Sequence, residues 1–319
     1  MPSARSGLIL SGGLLFLLLG ACSKSSTTQP TPTAYTLVTQ WGVAGKGNGQ
    51  FNTPRDVAVD RTGKLFVADQ GNHRIQVFST DSTFLYQWGD SGSVNGKFNS
   101  PGHVAVDATG NVYVADTNNH RIEKFASDGT YITQWGSEGT GNGQFEWPWG
   151  IAVDANGNVF VADPNNHRIE RFTSDGTYLT QWTSPSNGGP EFPRGVAVDD
   201  SGNVYVVNSD NGGGGNPTVQ KFDNNGAYLT QWGALGSGDG QFLVPDGIAF
   251  DPAGNIFVTD TQNWRIQKFT RMGVYLTQWG FRLDSGSACA AGGVAVDATS
   301  NVYVAHWNFC CRIQKYALR

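Results

Sequence analysis

The sequence predicts an all-β protein: a six-bladed β-propeller of four-stranded blades, its ring closed by an N-terminal strand that completes the last blade. Three observations predict it. The 319 residues include 43 Gly, 10 Trp, 18 Phe and 10 Tyr, with recurring Val-Tyr-Val and Val-Phe-Val triplets, and few stretches keep the 3.6-residue period of an amphipathic helix. Trp41, Trp88, Trp135, Trp182, Trp232 and Trp279 each follow a Gln, at intervals of 47, 47, 47, 50 and 47 residues. A period in that range with four short apolar segments per unit describes one propeller blade. Finally, the two ends of the chain each carry an incomplete unit, and the two fragments complement each other.

The second unit shows the pattern. Phe98, Asn99, Ser100, Pro101 and Gly102 lead into an inner strand over 103–107, and Ala108-Thr109-Gly110 turns the chain. A second strand covers 111–115, a loop 116–120, a third strand 121–125, a Ser127-Asp128-Gly129 turn and an outer strand 131–135. Gly, Asn and Asp stand where turns need them, and β-branched and aromatic residues fill the strands. The last unit supplies an inner strand (293–297), a second (301–305) and a third (312–316), then stops. At the other end, residues 35–41 form an outer strand with no blade before them. Joining the two removes exposed strand edges.

The N-terminus reads as an export signal over 1–21. Arg5 is a weak positive region, and 8–19 is an apolar run too short to span a bilayer comfortably. Leu19-Gly20-Ala21-Cys22 resembles a bacterial lipobox, which implies lipidation of Cys22. Residues 22–34, rich in Ser, Thr and Pro, read as a flexible tether, and 35–319 as the propeller. The expected location is a bacterial cell envelope, outer membrane or cell surface, held through the lipid alone. The net charge is −5, or −6 once Arg5 leaves with residues 1–21. That balance argues against gripping nucleic acid through its phosphates.

The Val-Ala-Val-Asp segments, the Val-Ala-Asp segments and Asn-His-Arg-Ile at 72–75, 119–122 and 166–169 resemble the NHL-repeat family over about 35–319. The resemblance implies a six-bladed propeller and leaves function open, because one scaffold serves many partners. Related six-bladed propellers include calcium-holding lactonases and zinc-using lyases, so a metal-dependent lyase or hydrolase acting in the central channel is the alternative to a binding scaffold. NHL-type propellers that bind RNA or serve in ubiquitin ligases fit less well with an export signal, an acidic charge and no zinc-box cysteines.

Most repeated polar residues read as structural. Asp60, Asp107, Asp154, Asp199, Asp251 and Asp297 end inner strands before tight turns; the Asp154-Ala155-Asn156-Gly157-Asn158 segment lacks the closing Glu of a calcium loop. Asp69, Asp116, Asp163 and Asp260 can pair with Arg74, Arg121, Arg168 and Arg265 of the same blades. Blade four has Asn208 and Thr218 instead, and blade six has His306 opposite Arg312. His73, His120 and His167 occupy equivalent places on different blades. They are too far apart to share a zinc, whose ligands stand about 2.1 Å away.

The informative positions are those where repeats disagree. On one face of the ring they are Arg55, Asp56, His103, Trp147, Trp149, Arg194 and Asp246 in the loops leading to inner strands. Trp264 and Trp307 lie on the other loops of that face, beside an insertion over 209–217 with four consecutive glycines. Charged and aromatic groups gathered on a concave face suit recognition. The ligand expected for Arg55, Asp56, His103, Trp149, Arg194, Asp246, Trp264 and Trp307 is a protein, peptide or glycan. No catalytic residue, cofactor or metal is assigned, and a monomer is expected. Cys289, Cys310 and Cys311 share one blade, and a disulfide from Cys289 to one of the other two is expected in an oxidising compartment.

Overall fold

A computed structural model describes residues 34–183, 192–209, 215–281 and 289–319. The lipobox and Cys22, the export signal, nearly all of the tether and residues 210–214 of the glycine insertion lie outside the described residues. Six four-stranded antiparallel sheets follow one another along the chain. Blade one is Pro54–Val59, Lys64–Asp69, Arg74–Ser79 and Phe84–Trp88; blade two is Pro101–Val106, Val112–Asp116, Arg121–Phe125 and Tyr131–Trp135. Blade three is Ile151–Val153, Val159–Asp163, Arg168–Phe172 and Tyr178–Thr183; blade four is Phe192–Val198, Val204–Ser209, Thr218–Phe222 and Tyr228–Trp232. Blade five is Pro245–Phe250, Ile256–Asp260, Arg265–Phe269 and Tyr275–Gly280. Blade six takes Ala291–Val296, Val302–His306 and Arg312–Leu318 from the end of the chain, and its outer strand is Tyr35–Trp41, antiparallel to Arg312–Leu318 from Tyr35 opposite Leu318 to Trp41 opposite Ile313.

Burial follows position in the blade. Val112–Asp116 is buried on both faces, because a second strand is flanked by neighbours within its sheet and covered by adjacent blades. Tyr131–Trp135 alternates half-buried and exposed residues, as an outer strand with one solvated face should. Each core lies between consecutive blades; Tyr113, Ala115 and Ile122 of blade two, for example, meet Phe145, Ile151, Val159 and Phe172. The Gln-Trp indoles seal these seams. Trp88 lies over Gly129, whose φ is +87° and whose place leaves no room for a Cβ against the indole ring. The inner strand of blade two begins at Pro101, two residues earlier than the sequence suggests. Pro101 pairs with Asp116 across a bulge before Val104, and such a bulge hides a strand end from a simple alternation.

Cys289 and Cys310 form a disulfide across the loops of blade six, 21 residues apart, and Cys311 is a buried free thiol. A loop of that length removes about 3 kcal/mol of denatured-state entropy in the chain-entropy model. Cys289→Ser is therefore expected to lower the unfolding free energy by about that amount in urea titrations. An unchanged midpoint would show that the bond does not brace blade six.

Candidate functional site

An ion-pair network repeated in four blades sets the background against which the distinctive residues stand out. Asp69 Oδ2 accepts from Arg74 Nε at 2.8 Å and from Asn72 Nδ2 at 2.9 Å, while its Oδ1 accepts the Asn52 N–H at 2.7 Å. Arg74 spends its remaining donors on the carbonyls of Lys46, Gly47 and Gln50 and on Gln87 Oε1. Blades two, three and five repeat this with Asp116–Arg121, Asp163–Arg168 and Asp260–Arg265. These arginines are saturated. His73, His120 and His167 cap the intervening 3-10 turns in left-handed conformation.

The first residues of the inner strands meet at one mouth of the channel. In chain order these are Arg55-Asp56, Gly102-His103, Trp149-Gly150, Arg194-Gly195, Asp246-Gly247 and Gly292-Gly293. Glycine is a steric requirement here. A Cβ on Gly150 would strike the Arg194 carbonyl, and one on Gly293 would strike the Asp56 carboxylate. Side chains from only some blades therefore fill the mouth, and they converge on Asp246. Its Oδ1 accepts from Trp149 Nε1 at 3.1 Å. Arg55 Nη2 stands 3.6 Å from Oδ2, and Arg194 Nη1 and His103 Nε2 stand 3.7 and 3.9 Å from Oδ1. Asp56 Oδ2 accepts the Val104 N–H at 2.9 Å and lies 3.3 Å from His103 Nδ1. Arg55 is sandwiched between the Trp149 and Trp307 rings, 4.7 and 4.3 Å from their centroids.

Burial and the neighbouring charges oppose each other at these groups. Burial raises the Asp246 carboxyl, but Arg194, Arg55, His103 and the Trp149 bond outweigh it, and the group is held below its ordinary range. Burial of Asp56 is only partly offset by His103 and the Val104 N–H, and its carboxyl is raised. Burial lowers Arg55 to about 10, against the pull of Asp246, so it remains a cation at neutral pH.

Above this plug opens a cleft of about 630 Å³ between blades four, five, six and one, lined by Arg55, Arg194, Leu243, Val244, Thr261, Gln262, Trp264, Ala290, Trp307 and Asn308. Of the residues expected on a ligand-binding face, the structure brings Arg55, Arg194, Trp264 and Trp307 to this cleft. Asp56, His103, Trp149 and Asp246 instead turn into the plug and are buried, at 1–6% exposure, because the glycines around the mouth leave space that they fill. Trp147 packs on Trp149 and donates from Nε1 to Asn118 Oδ1 at 2.9 Å, away from the cleft. Sequence reasoning passed over Gln262 and Asn308. Gln262 stands where blades one to three have Gly71, Asn118 and Asn165, so the same comparison of repeats could have found it.

The opposite mouth holds a hollow of about 520 Å³ ringed by Asp60, Asp107, Asp154, Asp199, Asp251 and Asp297. These carboxylates are committed to turns: Asp107 Oδ1 accepts the Thr109 and Asn111 N–H groups at 2.9 Å, and Asp297 Oδ1 does the same for Thr299 and Asn301.

A catalytic metal of the kind found in related propellers does not fit the plug. Asp246, the best-ionised acid there, already faces two guanidinium groups, and a divalent cation would have to enter beside both. Among the described residues no group of three or more His, Cys, Asp or Glu is disposed to hold a metal ion.

Residues 56–190 match the family described as SMP-30/Gluconolactonase/LRE-like region, and residues 242–269 match the NHL repeat. A 41-residue stretch is 49% identical to NHL repeat-containing protein 3 of Homo sapiens and 46% identical to that of Mus musculus, covering 13% of this chain. The match spans only 12% of those relatives' length. Among solved structures, a gluconolactonase of Xanthomonas campestris superposes with a TM-score of 0.63 at 17% identity, over 85% of this chain and 88% of that one. Virginiamycin B lyase of Staphylococcus aureus gives 0.61 at 13% identity, over 90% and 100%. A protein of unknown function from Bacteroides thetaiotaomicron gives 0.68 at 17% identity, over 89% and 76%. At these identities the likeness concerns the fold.

Proposed function

Taking the chain as a six-bladed propeller that carries NHL-type repeats, we propose that it is a binding scaffold, anchored to a bacterial cell envelope through lipid on Cys22, which presents the cleft above its plugged channel to a ligand. One observation carries the reading. The charged and aromatic residues that begin the inner strands of only some blades gather on a single face, where they close the channel with an internal ion cluster beneath a cleft edged by two guanidinium groups and two indoles. A rigid ring with a preformed, mixed apolar and charged cleft is suited to recognition. The metal-dependent lyase or hydrolase is disfavoured by the same cluster, since the acids and histidine of the channel mouth are buried among cations. The Asp56–His103 contact is what a metal-free catalytic reading would have to use, and it lies beneath Trp149.

The test is capture from an envelope extract by the chain and by a variant carrying Arg194→Ala, Trp264→Ala and Trp307→Ala. A ligand held by the first and lost by the second, with the two proteins melting alike, is the expected result. Equal capture by both would move the binding surface elsewhere on the propeller. Capture by neither, together with turnover of a lactone or lyase substrate, would return the channel to consideration.

A further inference from the structure

The arginines at the cleft differ in kind from the others in the ring. Arg74, Arg121 and Arg265 each satisfy their guanidinium with five hydrogen bonds. Arg55 and Arg194 make no side-chain hydrogen bond among the described residues; their nearest acid, Asp246, stands at 3.6 and 3.7 Å. Arg55 is 7% exposed, and its Nε is buried with no hydrogen-bond partner. Donors left unmet at such burial are costly unless something else satisfies them. Both guanidinium groups border the same carboxylate, Asp246, and neither stands within hydrogen-bond distance of it.

Resting on the binding-scaffold reading, we infer that the cleft takes an acidic saccharide, with a single sugar carboxylate received by Arg55 and Arg194 and the face of its ring laid on Trp264 or Trp307. A carboxylate supplies what both guanidiniums lack, the acceptor for charge-assisted bonds. Trp264 is 44% exposed and offers an open indole face for the C–H face of a pyranose ring. Gln262 and Asn308 place amides beside the cleft, each able to donate to and accept from sugar hydroxyls. A volume of about 630 Å³ is within the range of sites that enclose small ligands rather than a folded protein surface. The net charge of −5 does not oppose this, because the cleft concentrates the cations locally.

The probes are α-1,4-trigalacturonate, its methyl ester and neutral galactotriose, together with a tripeptide bearing either a free or an amidated C-terminus, titrated into the full chain by calorimetry and tryptophan fluorescence. The acid is expected to bind at least about tenfold more tightly than its ester, since a charge-assisted hydrogen bond is the interaction removed. Added salt should erode that preference. Arg194→Gln should abolish it, and Trp264→Ala should weaken acid and ester together. If Arg194→Gln does not fold, the acid–ester ratio and its salt dependence in the unaltered chain decide the matter. Equal binding of acid and ester overturns the role given to the arginines. Binding of the free-carboxylate peptide without the sugar overturns the ligand class but leaves the scaffold reading intact. If no probe binds while the triple variant still loses its envelope ligand, this inference fails and the scaffold reading stands. If capture is also insensitive to the triple variant, both fail.

Discussion

A chain beginning at residue 42 is expected to unfold far more easily than one beginning at residue 34, and to associate where the longer one does not. The difference is one strand, but that strand touches three blades. Tyr35–Trp41 forms the outer edge of blade six. Tyr35 reaches back to blade five, stacking on Trp279 with centroids 4.3 Å apart, meeting Phe257 edge-on and lying 3.2 Å from Lys268 Nζ. Trp41 reaches forward to Phe78 of blade one at 5.9 Å. Re-exposing Tyr35, which is buried, removes about 1.5–3 kcal/mol, and half-buried Trp41 adds a smaller share. The seam between the first and last blades then loses its stitch, so the total loss should be several kcal/mol and lower the melting temperature by on the order of 10 °C. Arg312–Leu318 would become an unpaired edge carrying unmet N–H and C=O groups, which invites pairing with another chain. Circular dichroism melts and light scattering on the two chains measure both effects. Coincident melts and two monomers would mean that the ring is held by its inner strands and cores without the closing strand.

Features that recur were legible in the sequence, because the repeats state them several times over. The Gln-Trp spacing, the missing outer strand of the last unit and the Asp–Arg pairs needed only comparison between repeats. The functional face was legible in a weaker sense. Arg55, Arg194 and Asp246 stood out as departures from the repeat, but their direction depends on what neighbouring blades put beside them. Gly150 and Gly293 leave room for inward side chains only because adjacent inner strands approach too closely for a Cβ, a relation between residues far apart in sequence. Trp149 reads as an exposed recognition residue from its position and is buried, since its indole N–H finds Asp246 across the mouth, 97 residues away. Gln262 was hidden for the opposite reason: a polar residue in a polar turn looks ordinary until the cleft shows what it faces.

The quietest substitution in the repeat carries the second large effect. Third strands place a glutamine inward at Gln76 and Gln267, and Gln76 shows what the position does. Its Oε1 accepts the Gly49 N–H at 2.9 Å, and its Nε2 donates to the Gln50 carbonyl at 2.7 Å and to Asp69 Oδ2 at 3.1 Å. Gln267 repeats the arrangement with Gly240, Gln241 and Asp260. Blades two and three have Glu123 and Glu170 there, both fully buried. Each accepts the matching N–H, from Gly96 at 3.0 Å and Gly143 at 2.9 Å. Neither Oε2 has a hydrogen-bond partner, because a carboxylate cannot donate where the amide did. A proton on Oε2 would restore the missing donor. Burial pushes both carboxyls up to about 7; the Gly N–H groups and Arg121 or Arg168 resist the shift, and Asp116 or Asp163 adds to it. Tyr131 and Tyr178 face the same two groups. The ordinary carboxyl value of 4.5 applies once the chain unfolds. Below about 4.5 both states hold the protons and the stabilising donor is fully present. As pH rises from there through about 7, the unfolded chain has released protons that the native state retains, so stability falls, by about 3 kcal/mol per site at most. Glu123→Gln with Glu170→Gln should therefore be nearly neutral at pH 4.5 and clearly stabilising at pH 8 in urea titrations of the two proteins. A stability difference that stays constant between those pH values would show that the glutamates are ionised throughout, and that Arg121 and Arg168, 3.3 and 3.5 Å away, hold them as carboxylates despite their burial.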